Sequence, residues 1–188
     1  IFVKPASELT EYKGDPLSVI CAVNENAGTR LETHGIRDEE FIRGKAPMTK
    51  EEVRMVSLSK LRLTADSVCY DVGAGTGSLS IEMALRAHQG QVWAIEKKED
   101  AVELIHRNKV KFAADNLEIV EGLAPEALKD PPAPTHAFIG GSSGNLKEIV
   151  KLLVEKNPQV RIVINCITLE TVSEALETAK EFGFEENE

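Results

Sequence analysis

The feature that most constrains the fold of this chain is the glycine-rich segment Asp71–Ser78, which reads DVGAGTGS. The apolar run Val68–Tyr70 precedes it, and a helical pattern of apolar residues begins at Leu79. This order predicts a strand, a tight turn and a helix. Because glycine has no Cβ, such a turn can bring its backbone close to a nucleotide-like ligand.

The spacing of the glycines indicates which ligand the turn binds. They fall at Gly73, Gly75 and Gly77, whereas the dinucleotide fingerprint G-x-G-x-x-G needs its last glycine at Ser78. Asp71, directly before the turn, would repel a pyrophosphate but can help to place the ammonium group of an amino acid. The pattern favours S-adenosylmethionine over NAD, and the alternative is a strand-to-helix turn that binds no ligand.

A second acidic residue supports an adenosine-type ligand. The next predicted strand, Gln91–Glu96, ends in a carboxylate about 20 residues after the glycine turn, where a ribose hydroxyl pair is bound in this kind of fold. The alternative for Glu96 is an exposed acid at a strand end.

From Val68 onward, predicted strands and helices alternate, which indicates an α/β fold with a mostly parallel sheet and helices on both faces. The predicted strands are Val68–Asp71, Gln91–Glu96, Leu117–Glu121, His136–Gly140 and Arg161–Cys166. The predicted helices are Ser78–Ala87, Lys98–Ala113, Asn145–Glu155 and Leu169–Phe182.

One more helix is predicted before the first strand. The residues from Thr49 to Glu52 match a capping box, with Thr49 as the N-cap, and the helix would place Val53, Val56 and Leu61 on one apolar face. Before it, Leu17–Val23 is a plausible strand without a partner nearby.

Composition excludes several classes of function. The chain has 188 residues and a net charge of -9, which argues against general nucleic-acid binding. No apolar run reaches the length of a membrane span and no signal peptide is visible, so we expect a soluble cytoplasmic protein. The three cysteines and four histidines show no metal-ligand spacing, so free thiols and no metal are expected.

A cluster of basic residues precedes the predicted sheet. Its members are Arg37, Arg43, Lys45, Lys50 and Arg54. We interpret them as a local basic rim for an anionic substrate, and the alternative is a set of solvated surface charges.

Four segments, taken in order, carry a resemblance to a known family. Thr49–Arg54, Asp71–Ser78, Val120–Leu128 and Phe138–Leu146 together resemble the decarboxylating precorrin-6Y methyltransferases of cobalamin synthesis. The glycine turn is shared by many methyltransferases, whereas the last two segments are much more particular to this family. The resemblance covers roughly Gly35 to Phe184.

This resemblance implies a Rossmann-like class I fold and transfer of a methyl group from S-adenosylmethionine. The acceptor would be a ring carbon of a precorrin or cobalt-precorrin, and an acetate side chain would be decarboxylated. The donor contacts that we predict are Thr49, Asp71, Gly73, Ala74, Gly75, Thr76, Gly77, Glu96 and Ala124. Because Leu123 is apolar, the adenine would rest on backbone and apolar contacts.

The segment Gly140–Gly144 follows the fourth predicted strand, at the edge where open sheets bind ligands. Gly141 and Ser142 are predicted to approach the flat macrocycle, and the alternative is a plain flexible turn. For Asn145 we favour a helix N-cap over a substrate contact. The electron-rich macrocycle would supply the nucleophile, so no catalytic residue is assigned.

The resemblance also implies a domain organisation. Residues 1–34 would be the tail of a preceding methyltransferase domain, and residues 35–188 the methyltransferase domain, with the usual C-terminal hairpin missing. It further implies a homo-oligomer, with tetramers common in the family, and neither nucleic acid nor membrane as a partner.

Two alternative functions remain at this point. A methyltransferase of similar fold that acts on RNA or protein often has a polar-Pro-Pro-aromatic motif after the fourth strand, where this chain has Gly140-Gly141-Ser142. The other alternative is a non-catalytic module that has kept only the fold.

Overall fold

A computed structural model describes residues 4–8, 13 and 35–184. The chain divides into two units, Ile1–Arg30 and Leu31–Glu188. In the first unit the described residues include a short 3-10 turn, Ala6–Glu8, with an exposed ion pair of 3.5 Å between Lys4 and Glu8. The predicted strand Leu17–Val23 lies outside the described residues, and the assignment of residues 1–34 to a preceding domain stays a prediction.

The second unit is built on five parallel strands in the order β3-β2-β1-β4-β5. The strands are β1 Val68–Val72, β2 Gln91–Glu96, β3 Leu117–Glu121, β4 His136–Ile139 and β5 Arg161–Ile164. Every pairing among them is parallel, as predicted. The fourth and fifth strands end one and two residues earlier than predicted, because the chain there turns away from the sheet into loops.

Five helices cover the sheet on both faces, which confirms the predicted arrangement. They are α1 Glu51–Leu61, α2 Ser78–Arg86, α3 Glu99–Lys111, α4 Leu146–Lys156 and α5 Leu169–Glu181. Apolar residues of α1, α2 and α3 pack in one buried cluster, and those of α4 pack in a second cluster on the opposite face, with α5 against it. Within the described ranges no helix is long and apolar enough to cross a membrane.

Strand β1 shows how the pleat distributes side chains between the two clusters. Tyr70 and Val72 belong to the α4 side, and Cys69 belongs to the α2 side. Since successive side chains of a strand point to opposite faces, Asp71 also points toward α2. There its carboxylate accepts a hydrogen bond from the Ser80 hydroxyl, and Asp71 is 1% exposed.

Burial changes the protonation of Asp71. Desolvation raises the pKa of this carboxyl to about 6, against the hydrogen bonds from Ser80 and with a smaller repulsion from Glu96. The folded protein therefore holds a proton on Asp71 at pH values where the unfolded chain has released it.

Helix α1 differs from its prediction in both its face and its cap. Its buried residues are Arg54, Ser57, Leu58 and Leu61, whereas Val56 is 60% exposed. The N-cap is Lys50 and no side chain caps the helix, so the predicted capping box at Thr49 is wrong. The reason is Arg54, which turns its own side of the helix inward.

Arg54 is 0% exposed and is surrounded by acceptors. Its Nε donates to Glu82 of α2 at 2.7 Å, and its Nη1 donates to the carboxylate of Asp38 at 2.7 Å and to the Thr49 carbonyl at 2.5 Å. Its Nη2 donates to the Ile36 carbonyl. One guanidinium thus fastens the segment from Ile36 to Thr49, which we call the N-terminal strap, to α1 and α2.

Two further contacts complete this ion-pair cluster. Glu82 uses its second oxygen to accept a hydrogen bond from the Gly35 amide at 3.0 Å, and the Arg54 guanidinium stacks 4.8 Å from the ring centroid of Phe41. Burial acts to raise the pKa of Asp38, but the hydrogen bonds from Arg54 and Lys50 hold that pKa below its usual value. The buried charges are therefore compensated within the cluster.

Replacing Arg54 with Met should strongly destabilise the protein, because it leaves the buried carboxylate of Glu82 without its partner. We expect a loss of about 3–5 kcal/mol in the free energy of unfolding, measured by urea denaturation. The matched control is Arg107→Met at an exposed position of α3, where a change within about 0.5 kcal/mol is expected. Equal effects of the two substitutions would contradict a role for Arg54 in fastening the strap.

The buried Asp71 predicts a pH dependence of stability. Because the pKa of Asp71 is about 6 in the folded protein against an ordinary value of 3.8, its contribution to stability falls as the pH rises from about 4 to about 6. Asp71→Asn should therefore raise the free energy of unfolding at pH 8, by up to about 3 kcal/mol, and by much less at pH 4. Urea denaturation across this range measures the difference.

Asp66→Asn is the matched contrast for this experiment. The Thr64 hydroxyl, as a hydrogen-bond donor to exposed Asp66, lowers the pKa of that carboxyl. Its contribution is therefore present at neutral pH and is lost as the pH falls below the ordinary value. Asp66→Asn should lower the stability at pH 8, opposite in sign to Asp71→Asn, and the same sign for both would contradict the burial argument.

Candidate functional site

A cavity of about 590 Å³ opens at the carboxyl ends of the strands. It lies at the point where the order of the strands in the sheet reverses, since β1 is flanked by β2 on one side and by β4 on the other. Open α/β sheets bind ligands at this switch point, and the volume is in the range of small-molecule sites.

The glycine turn after β1 forms the floor of the cavity through close backbone contacts. The amides of Gly73 and Ala74 donate to the Ile95 carbonyl at 3.0 and 3.1 Å. A Cβ on Gly73 would lie 2.8 Å from the Gly141 carbonyl oxygen, and one on Gly75 would overlap the Pro47 carbonyl oxygen. Both positions therefore require glycine, because other loops and the strap close in on the turn.

Glu96 joins the glycine turn to the loop after β2. The residue is 8% exposed, and one carboxylate oxygen accepts a hydrogen bond from the Gly75 amide at 2.9 Å. The other oxygen accepts from the amides of Lys97 and Lys98 at 2.9 and 3.0 Å. A carboxylate has about four acceptor positions. These three bonds fix its orientation at the cavity wall and still leave it able to accept from a hydroxyl group.

The loop after β3 supplies a mixed backbone and apolar wall. Leu123 and Ala124 both line the cavity, and Leu123 is 45% exposed. The Ala124 carbonyl accepts a hydrogen bond from the side-chain amide of Asn145 at 3.1 Å. Asn145 does occupy the N-cap position of α4, but its side chain makes no cap hydrogen bond. The predicted N-cap position is thus confirmed, but the side-chain amide holds the neighbouring loop instead of capping the helix.

The loop after β4 lines the opposite side of the cavity from Gly140 to Ser143. Gly141 and Ser142, which we predicted to approach the substrate, are both on the wall. Ser143 has a left-handed backbone with φ of 54°, which is uncommon for a residue other than glycine. Its hydroxyl accepts a hydrogen bond from the Lys97 amino group at 3.0 Å. This bond bridges the loops that follow β2 and β4.

The N-terminal strap closes one side of the cavity. Its last residues, Pro47, Met48 and Thr49, line the wall together with Lys50 and Val53 of the α1 start. Thr49, predicted as a donor contact, is therefore at the site although it is not the helix cap. The strap reaches this place because Arg54 holds the Thr49 carbonyl.

Six of the nine predicted donor contacts lie on the cavity wall and three do not. Those on the wall are Thr49, Gly73, Ala74, Gly75, Glu96 and Ala124. Asp71 faces α2, as described above. Gly77 packs against Ile105 of α3, 3.0 Å from where its Cβ would be. Thr76 is 1% exposed, its carbonyl accepts from Asn108 at 3.0 Å, and its hydroxyl has no partner among the described residues.

The predicted basic rim is mostly wrong. Arg54 is buried in its ion-pair cluster, and Arg37, Arg43 and Lys45 are exposed residues that do not line the cavity. Only Lys50 does, and its amino group pairs with Asp38 at 3.2 Å. The prediction of a basic rim failed because residues that are close along a chain point in different directions once a helix begins between them.

Several residues of the wall were not anticipated from the sequence. They are Lys97 and Lys98 after β2, and Asn165, Cys166 and Ile167 after β5. Their common signal is position, since all of them follow the carboxyl end of a parallel strand or lie in a loop that does. Cys166 was predicted inside a strand, but β5 ends before it, and burial raises the pKa of its half-buried thiol.

Comparisons with known proteins identify the family. A family model described as "Precorrin methyltransferase domain" matches residues 40–186. A protein of Sulfurisphaera tokodaii named "Probable cobalt-precorrin-6B C(15)-methyltransferase (decarboxylating)" is 47% identical over 153 residues, which cover 80% of this chain and 80% of that protein.

Solved structures agree with this result. The crystal structure of precorrin-6y C5,15-methyltransferase from Geobacter metallireducens has a TM-score of 0.74 and 42% identity, and covers 79% of each chain. That of precorrin 8w decarboxylase from Methanobacterium thermoautotrophicum has a TM-score of 0.75 and 36% identity, and covers 80% of this chain and 82% of that one. The predicted Rossmann-like methyltransferase fold is thereby confirmed. The chain belongs to the precorrin methyltransferase domain family.

Proposed function

We propose that this chain transfers a methyl group from S-adenosylmethionine to a ring carbon of a precorrin or cobalt-precorrin, with decarboxylation of an acetate side chain, in cobalamin biosynthesis. One observation carries the proposal. The two segments most particular to the family, Val120–Leu128 and Phe138–Leu146, contribute Leu123, Ala124 and Gly140–Ser143 to the same cavity as the glycine turn. The segments that carry the family resemblance thus share one site with the glycine turn that is predicted to bind the donor.

The cavity fits an adenosine-type donor. Glu96 offers an oriented carboxylate for a pair of hydroxyl groups, and the glycine turn lines the wall beside it with Gly73, Ala74 and Gly75. Beside them, Leu123 and the Ala124 backbone form the apolar wall that a purine ring requires. When bound, the donor supplies an electrophilic methyl group on a sulfonium.

The residues of the chain act chiefly by orienting the two substrates. The wall is made largely of backbone and apolar groups, which exclude water and keep donor and acceptor in line. We assign no catalytic acid or base. The carboxylate of Glu96 already accepts hydrogen bonds from three backbone amides, and burial raises the pKa of the Cys166 thiol.

The proposal is tested by binding and by turnover. Titration calorimetry with S-adenosylmethionine should show one-site binding to the full chain. Incubation with cobalt-precorrin-6B and S-adenosylmethionine should then give a product whose mass shows the gain of one methyl group and the loss of carbon dioxide. A protein that binds the donor and converts no tetrapyrrole would refute the acceptor, and one that binds no donor would refute the enzyme.

Glu96→Gln should weaken binding of S-adenosylhomocysteine by about ten- to a hundredfold. Glutamine has a single acceptor oxygen and no charge, so it cannot hold the Gly75 amide and the ligand hydroxyls as the carboxylate does, and charged hydrogen bonds are worth about 1.5–3 kcal/mol. Calorimetry measures the dissociation constant.

The matched control for this prediction is Glu121→Gln. Glu121 is the register partner of Glu96 at the end of the neighbouring strand, but it is exposed and does not line the cavity. Its substitution should change the affinity by less than about twofold. If both variants bound S-adenosylhomocysteine like the wild type, Glu96 would not be a donor contact.

A further inference from the structure

The mouth of the cavity exposes apolar side chains from two separate elements. Val53, in the first turn of α1, is 39% exposed, and Ile167, just after β5, is 83% exposed. Both line the cavity, and α1 packs beside β5. Single exposed apolar residues are ordinary on protein surfaces. Two that converge on one cavity instead form a surface for the apolar face of a bound molecule.

The charge of the wall is opposite to that of the whole protein. The chain has a net charge of -9, yet the charged side chains that line the cavity are Lys50, Glu96, Lys97 and Lys98. The carboxylate of Glu96 is turned to backbone amides, so it does not neutralise the lysines by an ion pair. The site is therefore a local positive region in an acidic protein.

Among the lysines of the wall whose amino group has a defined partner, Lys97 is the one whose positive charge is compensated least. Its amino group donates to the Ser143 hydroxyl at 3.0 Å, a neutral partner, and in the described part of the chain no carboxylate lies within ion-pair distance of it. This bond holds the amino group over the switch point, between the loops after β2 and β4. The left-handed backbone of Ser143 presents the hydroxyl there.

Lys50 carries the second positive charge of the wall that is held in place by a contact. It occupies the N-cap position of α1, and its amino group is held by Asp38 at 3.2 Å. Asp38 also accepts from Arg54, whose other carboxylate partner is Glu82, so Lys50 is positioned by an ion pair at the edge of that cluster. One cavity wall thus includes both the apolar side chains of Val53 and Ile167 and these two amino groups.

We propose that Lys50 and Lys97 are specificity-determining residues that bind peripheral carboxylates of the acceptor, while Val53 and Ile167 contact the apolar face of its ring. The inference rests on the proposed function and identifies the residues by which this site recognises its acceptor. The recognised class is a flat apolar body with anionic side chains. The lysines act in binding, so they influence the Michaelis constant for the acceptor rather than the methyl transfer.

Steady-state kinetics of Lys97→Gln and Lys50→Gln with cobalt-precorrin-6B test this assignment. Each substitution should raise KM for the acceptor about tenfold and leave kcat within about twofold. The dissociation constant of S-adenosylhomocysteine, measured by calorimetry, should stay within about twofold. Lys151→Gln on the outer surface of α4, where the lysine pairs weakly with Glu155 at 3.9 Å, is the matched control and should change none of these values.

A partly esterified acceptor sharpens the test. Esterification should raise KM for the wild type, and it should raise KM less for the Lys50→Gln/Lys97→Gln double variant, because the groups that read the carboxylates are absent. If the wild type converts the acceptor and both single variants have an unchanged KM for it, only the assignment of the lysines is overturned. Weaker S-adenosylhomocysteine binding, without a change in KM for the acceptor, also overturns it, since the lysines would then hold the donor. A wild type that binds the donor and converts no precorrin overturns the proposed function and this inference together.

Discussion

The guanidinium of Arg54 is the constraint on which the N-terminal part of the domain depends. A charge that is 0% exposed is costly unless it is paired and hydrogen-bonded, and here Glu82, Asp38 and two strap carbonyls supply the acceptors. These groups come from α2 and from the strap, and Arg54 itself belongs to α1, so burying one cation fixes three parts of the chain together. Because the Thr49 carbonyl is one of the acceptors, an ion pair away from the ligand also sets one wall of the cavity.

The remaining walls are positioned by polar groups that join neighbouring loops. Glu96 ties the glycine turn to the loop after β2, and Asn145 ties the loop after β3 to the start of α4. Gly73 and Gly141 meet with no room for a side chain between them. A site assembled in this way presents few reactive side chains, and it suits a reaction in which the acceptor carries its own nucleophile and catalysis comes from alignment.

The alternating strands and helices and the glycine turn could be predicted because each is encoded by a local pattern of apolar residues and glycine. The partners of Arg54 could not, since Asp38 and Glu82 are 16 and 28 residues away and nothing local distinguishes a buried arginine from an exposed one. For the same reason the capping box at Thr49 was misleading. Asp71 is different: its direction follows from the period of two in a strand, because Val72 packs on the α4 side and its predecessor must face α2.

Net charge was the weakest guide to the partner, and the reason is physical. Charges that are separated by more than about 10 Å of salt solution interact little, so the many surface carboxylates have a small effect on the potential at the mouth of the cavity. The basic groups on the cavity wall are Lys50, Lys97 and Lys98, and the carboxylate of Glu96 is oriented toward backbone amides. If Glu96 binds the ribose as proposed, turning its carboxylate toward amides lets one wall serve a neutral ribose and an anionic acceptor at once. An acidic protein can thus bind a polyanionic substrate, provided that the carboxylates of its own site are already satisfied by the backbone.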